Sequence, residues 1–171
     1  MKKIIIYATV ILATIGCKRS IDSTSLDILP MPQSMELVNT YFRIDDRTCL
    51  EINAGEEDER ILAEYLAASK LNLTAGEKSK CVELTVDENL EGISSPEGYI
   101  ININKEQATV TAKSGAGLFY GVQTLLQLAD EENKIPCGVI TDEPQFAYRG
   151  LMIDVSRHFF DKEFIKKQID A

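Results

Sequence analysis

The fold is decided by residues 99–128, which read YIININKEQATVTAKSGAGLFYGVQTLLQL. Residues 99–104 and 108–112 each alternate apolar with polar side chains, a pattern typical of strands with one buried face. The polar run NKEQ between them favours a turn, so the two segments predict an antiparallel hairpin. An amphipathic helix follows directly, because apolar residues then recur at helical spacing: Leu118, Phe119, Val122, Leu125, Leu126 and Ala129.

The flanking sequence extends this pattern into a domain. Short strands are predicted at YFRID, TCLEINA, CVELTV and CGVITD, and a second helix after Gly55 from the spacing of Ile61, Leu62, Tyr65 and Leu66. Two prolines in ILPMPQSMEL exclude a helix there and suit an extended edge segment. Residues 28–145 therefore predict an α+β domain: a mixed or antiparallel sheet with two helices on one face.

A glycine-rich turn joins the strand at 108–112 to its helix and suggests a dinucleotide-binding motif, with Asp142 placed where such folds bind a ribose hydroxyl. The spacing of Gly115, Gly117 and Gly121 is GxGxxxG, however, one residue longer than that motif. The preceding strand also alternates, whereas a parallel core strand is nearly all apolar. We interpret the glycines as allowing close packing of the helix on the sheet.

The last residues, 148–171, read YRGLMIDVSRHFFDKEFIKKQIDA. The run from Leu151 to Val155 is nearly continuous in apolar character, which predicts a strand buried on both faces. Asp161 is placed to cap a following helix. A buried Asp154–Arg157 pair is expected to fix the turn between this strand and the following helix. One strand and one helix cannot bury each other, so we expect the rest of this domain to lie beyond residue 171.

Several motifs resemble glycoside hydrolase family 20. RGLMIDVSRHFF is similar to the opening barrel strand of that family, whose pattern there is RGxxxDxxRHF. ILPMPQ, EGYIININ and GLFYGVQTLLQL resemble its N-terminal α+β domain, in the same order. The resemblance covers residues 28–171. It implies that residues 146–171 begin a (β/α)8 catalytic barrel that is truncated in this chain.

The resemblance implies a β-N-acetylhexosaminidase, which removes terminal β-linked N-acetylglucosamine or N-acetylgalactosamine from glycans. Family members retain configuration by substrate assistance: the 2-acetamido oxygen of the sugar attacks the anomeric carbon. An adjacent Asp-Glu pair orients the acetamido group and supplies the general acid and base. We expect that pair beyond residue 171, so these 171 residues contain no catalytic residue and are predicted to be inactive alone. No cofactor is implied.

Arg149 matches the family arginine that hydrogen-bonds the 3- and 4-hydroxyls of the terminal sugar, a task suited to the fixed fork of a guanidinium. The alternative is an Arg149 that pairs with a carboxylate at the domain junction. Asp154, Arg157 and His158 match the motif too. Since the family's acid is a glutamate, these three are expected to pack behind the substrate contacts and support them, rather than to shuttle protons.

The N-terminus predicts export. Lys2 and Lys3 precede the apolar residues 4–15, and a TIGC tetrad then ends at Cys17, which resembles a bacterial lipobox. We expect residues 1–16 to be a lipoprotein signal peptide, Cys17 to carry lipid, and residues 17–27 to be a tether to the cell envelope, on its periplasmic side or at the cell surface. The alternative is a plain secretory signal.

Composition, net charge and cysteine spacing argue against two further classes of function, nucleic-acid binding and zinc binding through a short motif. Hydrophobic residues make up 44% and charged residues 26% of the chain, as in folded globular proteins, and the net charge of −9 disfavours nucleic-acid binding. The wide spacing of Cys49, Cys81 and Cys137 fits no zinc template; we interpret them as buried small hydrophobes, with one disulfide possible.

Two other functions stay open at this point, and so does the oligomeric state. The α+β domain could act alone as a non-catalytic interaction module from a truncated gene. A family 20 relative could also act on another hexosaminide, such as a lacto-N-biose unit. Neither alternative is separated from the main interpretation by the residues available, because the pocket residues are expected beyond residue 171.

Overall fold

The computed structural model describes residues 20–21, 26–71, 73–76 and 79–170. The predicted signal peptide, Cys17 and most of the tether lie outside these residues. Nine elements follow in chain order: β1 (Ser34–Arg43), β2 (Thr48–Asn53), α1 (Glu56–Ala68), β3 (Lys80–Val86), β4 (Tyr99–Ile103), β5 (Gln107–Ala112), α2 (Gly115–Leu128), β6 (Lys134–Asp142) and α3 (Lys162–Asp170). Within the described ranges, none of the helices is long and apolar enough to cross a membrane.

The strands form one six-stranded mixed sheet in the order β1-β6-β4-β5-β3-β2. β4 and β5 pair antiparallel, which confirms the predicted hairpin. β6 pairs antiparallel with β1 and β4, whereas β2, β3 and β5 run parallel to one another. The parallel pairs require crossovers, and α1 supplies the one between β2 and β3.

Both α1 and α2 pack on the same face of the sheet, as predicted. Leu62 and Leu66 of α1 share one core with the α2 residues Leu118, Val122 and Leu125 and with alternate residues of the strands. The intervening residues of the strands, such as Asn102, Glu83 and Thr109, are partly or fully exposed on the other face. Burial of each large apolar side chain contributes about 1.5–3 kcal/mol, so this face holds the domain together.

The glycines of the turn before α2 bring the helix close to the sheet. A Cβ atom on Gly121 would lie 2.4 Å from Val110 Cγ1, and one on Gly117 would lie 2.7 Å from the Gly98 carbonyl oxygen. Ser114 caps the helix by accepting from the Gly117 N–H at 3.4 Å. The structure thus confirms a packing role for Gly117 and Gly121.

Residues 151–155 do not form the predicted strand. Leu151 is 76% exposed and Met152 is 92% exposed, and the segment is extended and then turned. A strand buried on both faces needs neighbouring strands for its backbone hydrogen bonds and a covering layer on each face, and none of the described strands pairs with this segment. The prediction was therefore wrong for the chain as it stands, because strand formation here depends on partners that the six-stranded sheet does not provide.

The turn and helix after this segment are formed. Asp161 accepts from the Phe164 N–H at 2.8 Å and caps α3, as predicted. Asp154 accepts from the N–H groups of Ser156 and Arg157 at 2.8 and 3.2 Å, which fixes the turn. The Asp154–Arg157 ion pair is present at 3.2 Å, but the Arg157 side chain is 87% exposed. The prediction of a buried pair was wrong, since the part of the chain that the structure describes leaves both side chains exposed.

Candidate substrate-binding cleft at the domain junction

A cleft of ≈ 750 Å³ lies between the sheet domain and the segment that follows β6. One wall comes from α2, with Tyr120 and Gln123, and the other from the chain around Phe146 and Arg149. The residues before β4, including Glu97, close one end. This cleft is where the predicted sugar-binding arginine lies.

Arg149 is held by two hydrogen bonds. Its Nη1 donates to the Phe146 carbonyl oxygen at 2.7 Å, and its Nη2 donates to Glu97 Oε2 at 2.5 Å. The guanidinium also lies 6.0 Å from the centroid of the Tyr120 ring, within cation–π range. The hydrogen bond to Glu97 is the main cause that raises the pKa of Arg149. The structure therefore shows the pairing with a junction carboxylate, and the sugar contact stays a prediction.

Local structure explains why Glu97 points at the junction. The Glu97 N–H donates to Ser95 Oγ at 3.2 Å, and the turn ends with the Gly98 N–H bonded to the Ser95 carbonyl. Gly98 allows this approach because a Cβ there would lie 2.8 Å from Glu143 Cβ. The turn before β4 thus presents Glu97 towards residues 146–149.

The floor of the cleft is a hydrogen-bonded group around Tyr99. Its hydroxyl lies 2.6 Å from Thr124 Oγ1 and donates to Asp142 Oδ2 at 3.2 Å. Burial is the main cause that raises the pKa of Tyr99, reinforced by the charge of Asp142. The other oxygen of Asp142 accepts from the Gln33 N–H at 3.1 Å. Asp142, considered from sequence only as a ribose ligand, instead joins β6 to the N-terminal segment.

Glu143 fixes the wall next to Glu97. Its Oε2 accepts from the N–H groups of Ser94 and Ser95, both at 2.7 Å, and its carbonyl accepts from Gln33 Nε2 at 2.7 Å. Sequence reasoning missed Glu97 and Glu143 as site residues, because Glu97 was quoted only as the first residue of EGYIININ and Glu143 belongs to no quoted motif. The three carboxylates of the cleft, Glu97, Asp142 and Glu143, thus already accept hydrogen bonds and act as structural acceptors here.

Asp154, Arg157 and His158 lie outside the cleft. All three are exposed, on the turn that precedes α3. The structure does not bring them together with Arg149, so their support of a substrate site stays a prediction. Asp154 belongs to the unpaired residues 151–155, and Arg157 and His158 follow them directly, so none of the three is held by the described sheet.

Three potential metal ligands lie elsewhere in the sheet. One ligand atom each of Cys49, Glu51 and Cys81 lies within 4.8 Å of the others. The thiols of Cys49, Cys81 and Cys137 are free. Burial, followed by the neighbouring Cys49, raises the pKa of the Cys81 thiol to about 12. Linear spacing gave no zinc template, because the register of two strands, rather than a short motif, brings these residues together.

Comparison with protein families identifies the class. The model "Glycosyl hydrolase family 20, domain 2" matches residues 25–143, and "Glycosyl hydrolase family 20, catalytic domain" matches residues 146–171. The chain belongs to glycosyl hydrolase family 20.

Among curated relatives, a Beta-hexosaminidase of Porphyromonas gingivalis is 36% identical over 162 residues, covering 85% of this chain and 21% of the relative. A Beta-hexosaminidase of Akkermansia muciniphila is 35% identical over 98 residues, covering 55% of this chain and 20% of the relative. The chain thus spans about a fifth of the length of these curated relatives.

Solved structures show the same fold. The family 20 β-N-acetylhexosaminidase of Streptomyces coelicolor superposes with a TM-score of 0.67 at 30% identity, over 89% of this chain and 33% of that one. The β-N-acetylhexosaminidase of Bacteroides fragilis gives a TM-score of 0.67 at 26% identity, over 84% of this chain and 30% of that one. The sheet domain described above is therefore one that family 20 enzymes carry.

Proposed function

We propose that the full protein is a β-N-acetylhexosaminidase that removes terminal β-linked N-acetylglucosamine or N-acetylgalactosamine from glycans. One observation carries the proposal: residues 146–171 match the start of the family's catalytic domain directly after the match to domain 2. The exposed apolar segment that includes Leu151 and Met152 supports it, since further barrel strands would cover such a surface. The Asp-Glu pair would then lie beyond residue 171.

Arg149 is proposed to contact the terminal sugar. In the structure both of its terminal nitrogens already donate to protein oxygens, those of Phe146 and Glu97. These two bonds use two of the five guanidinium N–H donors, so the remaining donors can bind the 3- and 4-hydroxyls either beside Glu97 or after exchange with it. The exchange is feasible because the Arg149 side chain is 43% exposed and the ion pair is open to solvent on the cleft side.

The proposed reaction is retaining and substrate-assisted. The acetamido oxygen of the substrate attacks the anomeric carbon, the general acid protonates the leaving oxygen, and water then opens the oxazolinium intermediate. Arg149 would contribute by orientation: two donors fixed in one plane select neighbouring hydroxyls and hold the ring in place.

A comparison of two proteins tests this function. The full-length enzyme is expected to hydrolyse a chromogenic β-N-acetylglucosaminide and to release a product that is β at first, observed by NMR. A protein of residues 22–171 is expected to show no turnover with the same substrate. Turnover by residues 22–171 would contradict the placement of the chemistry beyond residue 171, and inactivity of the full-length protein would favour the non-catalytic module.

We also propose that the protein is exported and anchored to the cell envelope by lipid on Cys17. The supporting features are Lys2 and Lys3, the apolar residues 4–15 and the TIGC tetrad. Metabolic labelling with a fatty acid is expected to mark the wild type and not Cys17→Ala, which should also move from the detergent phase to the aqueous phase. Export without label in the wild type would instead indicate a plain secretory signal.

A further inference from the structure

Cys49 and Cys81 face each other across two neighbouring parallel strands. Cys49 of β2 is the register partner of Cys81 of β3, and Glu51 follows Cys49 by two residues on the same face of the strand. Leu50 and Val82, their neighbours in sequence, point into the core under the helices. The two thiols and the carboxylate therefore converge on the face of the sheet that the helices leave uncovered.

The convergence has the dimensions of a metal site. The three ligand atoms lie within 4.8 Å of one another and both thiols are free. Around a tetrahedral Zn²⁺, ligand atoms about 2.0–2.3 Å from the metal lie roughly 3.3–3.8 Å from each other. Small rotations of the three side chains would shorten the distances between the ligand atoms to those of a tetrahedral site.

Burial of the three residues is graded. Cys49 is 1% exposed, Cys81 is half-buried and Glu51 is exposed. The thiols are thus shielded from bulk solvent, while the carboxylate side remains open for a cation to enter and for water to occupy a fourth position. Two thiolates and one carboxylate form a soft donor set that favours Zn²⁺-like ions over Mg²⁺ or Ca²⁺.

We propose that Cys49, Cys81 and Glu51 form a binding site for one soft divalent cation of the Zn²⁺ class. Binding releases the two thiol protons and forms two metal–sulfur bonds and one metal–oxygen bond, with no change of oxidation state. The site ties β2 to β3 at one edge of the sheet, whereas the Arg149 cleft adjoins β4 and β6. It is therefore independent of the proposed glycosidase activity and serves to stabilise the domain.

Two nearby groups provide matched controls. Glu83 lies on the same face, two residues after Cys81, but it is occupied by Gln107 Nε2 at 2.8 Å and by Thr85 Oγ1 at 3.2 Å. Cys137 is a third free thiol, buried on β6, where its register partner is Val38. Neither belongs to the cluster, but Glu83 is the register partner of Glu51, so its replacement is expected to affect binding far less than replacement of Glu51, and replacement of Cys137 not at all.

The test uses the full-length protein, purified with reductant and freed of metal. Titration with Cd²⁺ is expected to produce thiolate-to-metal charge-transfer absorption that saturates at one equivalent, and Zn²⁺ should compete for the site and raise the melting temperature. Cys49→Ser and Cys81→Ser are expected to abolish the saturable band. Glu51→Gln is expected to weaken binding by about 10- to 100-fold. Cys137→Ala should bind like the wild type, and Glu83→Gln should weaken binding far less than Glu51→Gln does.

Three results would overturn the proposal. One is the absence of a break at one equivalent in the wild type, and another is equal binding by Glu51→Gln and Glu83→Gln. Because Glu51 is exposed, its variant tests the site even if a cysteine variant fails to fold. The third is recovery of the protein, from cells lysed with a thiol-blocking reagent, with Cys49 and Cys81 joined in a disulfide.

Discussion

Arg149 Nη2 donates to Glu97 Oε2 at 2.5 Å, and this ion pair joins the segment matched by the family's catalytic domain to the turn before β4 in the range matched by domain 2. Both side chains are partly exposed, at 43% and 32%. Pairs of this kind contribute about 0–1 kcal/mol to stability, so the contact positions Arg149 rather than holding the domains together.

Substitutions of Arg149 and of Glu97 are expected to differ in their effects on activity. In the full-length enzyme, Arg149→Ala should lower kcat/KM on a chromogenic N-acetylglucosaminide by about 10- to 100-fold, because charge-assisted hydrogen bonds to the sugar contribute about 1.5–3 kcal/mol. Glu97→Gln should change kcat/KM less than about threefold, since the Glu97 side chain pairs with Arg149 at a partly exposed position and is not expected to touch the sugar. Steady-state kinetics on both variants measure the difference.

Stability provides the control for this pair. Both variants are expected to unfold within about 1 kcal/mol of the wild type in urea. An equal loss of kcat/KM in Glu97→Gln and Arg149→Ala would show that the ion pair itself is the functional unit. An unaffected Arg149→Ala would remove Arg149 from the substrate site.

Gly121→Ala is expected to destabilise the sheet domain by about 1–3 kcal/mol, because the added methyl would overpack the contact between α2 and Val110. Gly117→Ala should behave alike, since its Cβ would lie 2.7 Å from the Gly98 carbonyl oxygen. Gly55→Ala is the comparison without overpacking, because none of the described atoms lies within 4 Å of its Cβ position, and it should lose only the N-cap preference of Gly over Ala at the start of α1. Urea unfolding of residues 20–171 measures all three, and equal stabilities would contradict the packing role.

The regular elements were predictable because their apolar spacing is local. The alternation of β4 and β5 and the helical stripe of α2 each reflect a face buried against the same core, so pattern and burial coincide. β1 was predicted too short. The register of β1 shifts between Val38 and Tyr41, and this irregularity interrupts the alternation of buried and exposed side chains. Gly138 of β6 also lies close to the Glu36 carbonyl oxygen.

The sites were less predictable, because they depend on pairings between distant residues. Arg149 was found through a motif, but its pairing with Glu97 was not, because Glu97 begins a different motif, EGYIININ, and no sequence pattern links the two residues. Cys49 and Cys81 come together only through the parallel register of β2 and β3, which no linear spacing encodes. The strand prediction around Leu151 was wrong because its apolar pattern is typical of a strand between neighbours, and the described sheet does not provide those neighbours.

Tyr99→Phe is expected to destabilise the domain by about 1–2 kcal/mol. The change removes the 2.6 Å contact with Thr124 and leaves that buried hydroxyl without its tyrosine partner. The double variant Tyr99→Phe with Thr124→Val should recover part of the loss, because it also removes the buried Thr124 hydroxyl that the single variant leaves unpaired, whereas the loss of the bond to Asp142 remains. Urea unfolding of the single and double variants measures the coupling, and additive losses would contradict it.

The same tyrosine predicts how stability changes at alkaline pH. The pKa of Tyr99 is raised from its ordinary value of 10.0, mainly because burial disfavours the phenolate. Above pH 10 the unfolded chain loses this proton while the folded domain retains it, so stability is complete below pH 10 and falls as pH rises. The slope due to one such group approaches about 1.4 kcal/mol per pH unit.

Urea unfolding between about pH 9 and pH 11.5 measures this slope. That pH range brackets the ordinary tyrosine pKa. The wild type is expected to lose stability more steeply than Tyr99→Phe, and the curves should converge as pH rises. Tyr148→Phe is the control, because Tyr148 is 89% exposed and its change should leave the slope as in the wild type. Parallel curves for the wild type and Tyr99→Phe would mean that Tyr99 ionises as readily in the folded domain as in the unfolded chain, contrary to its burial beside Asp142.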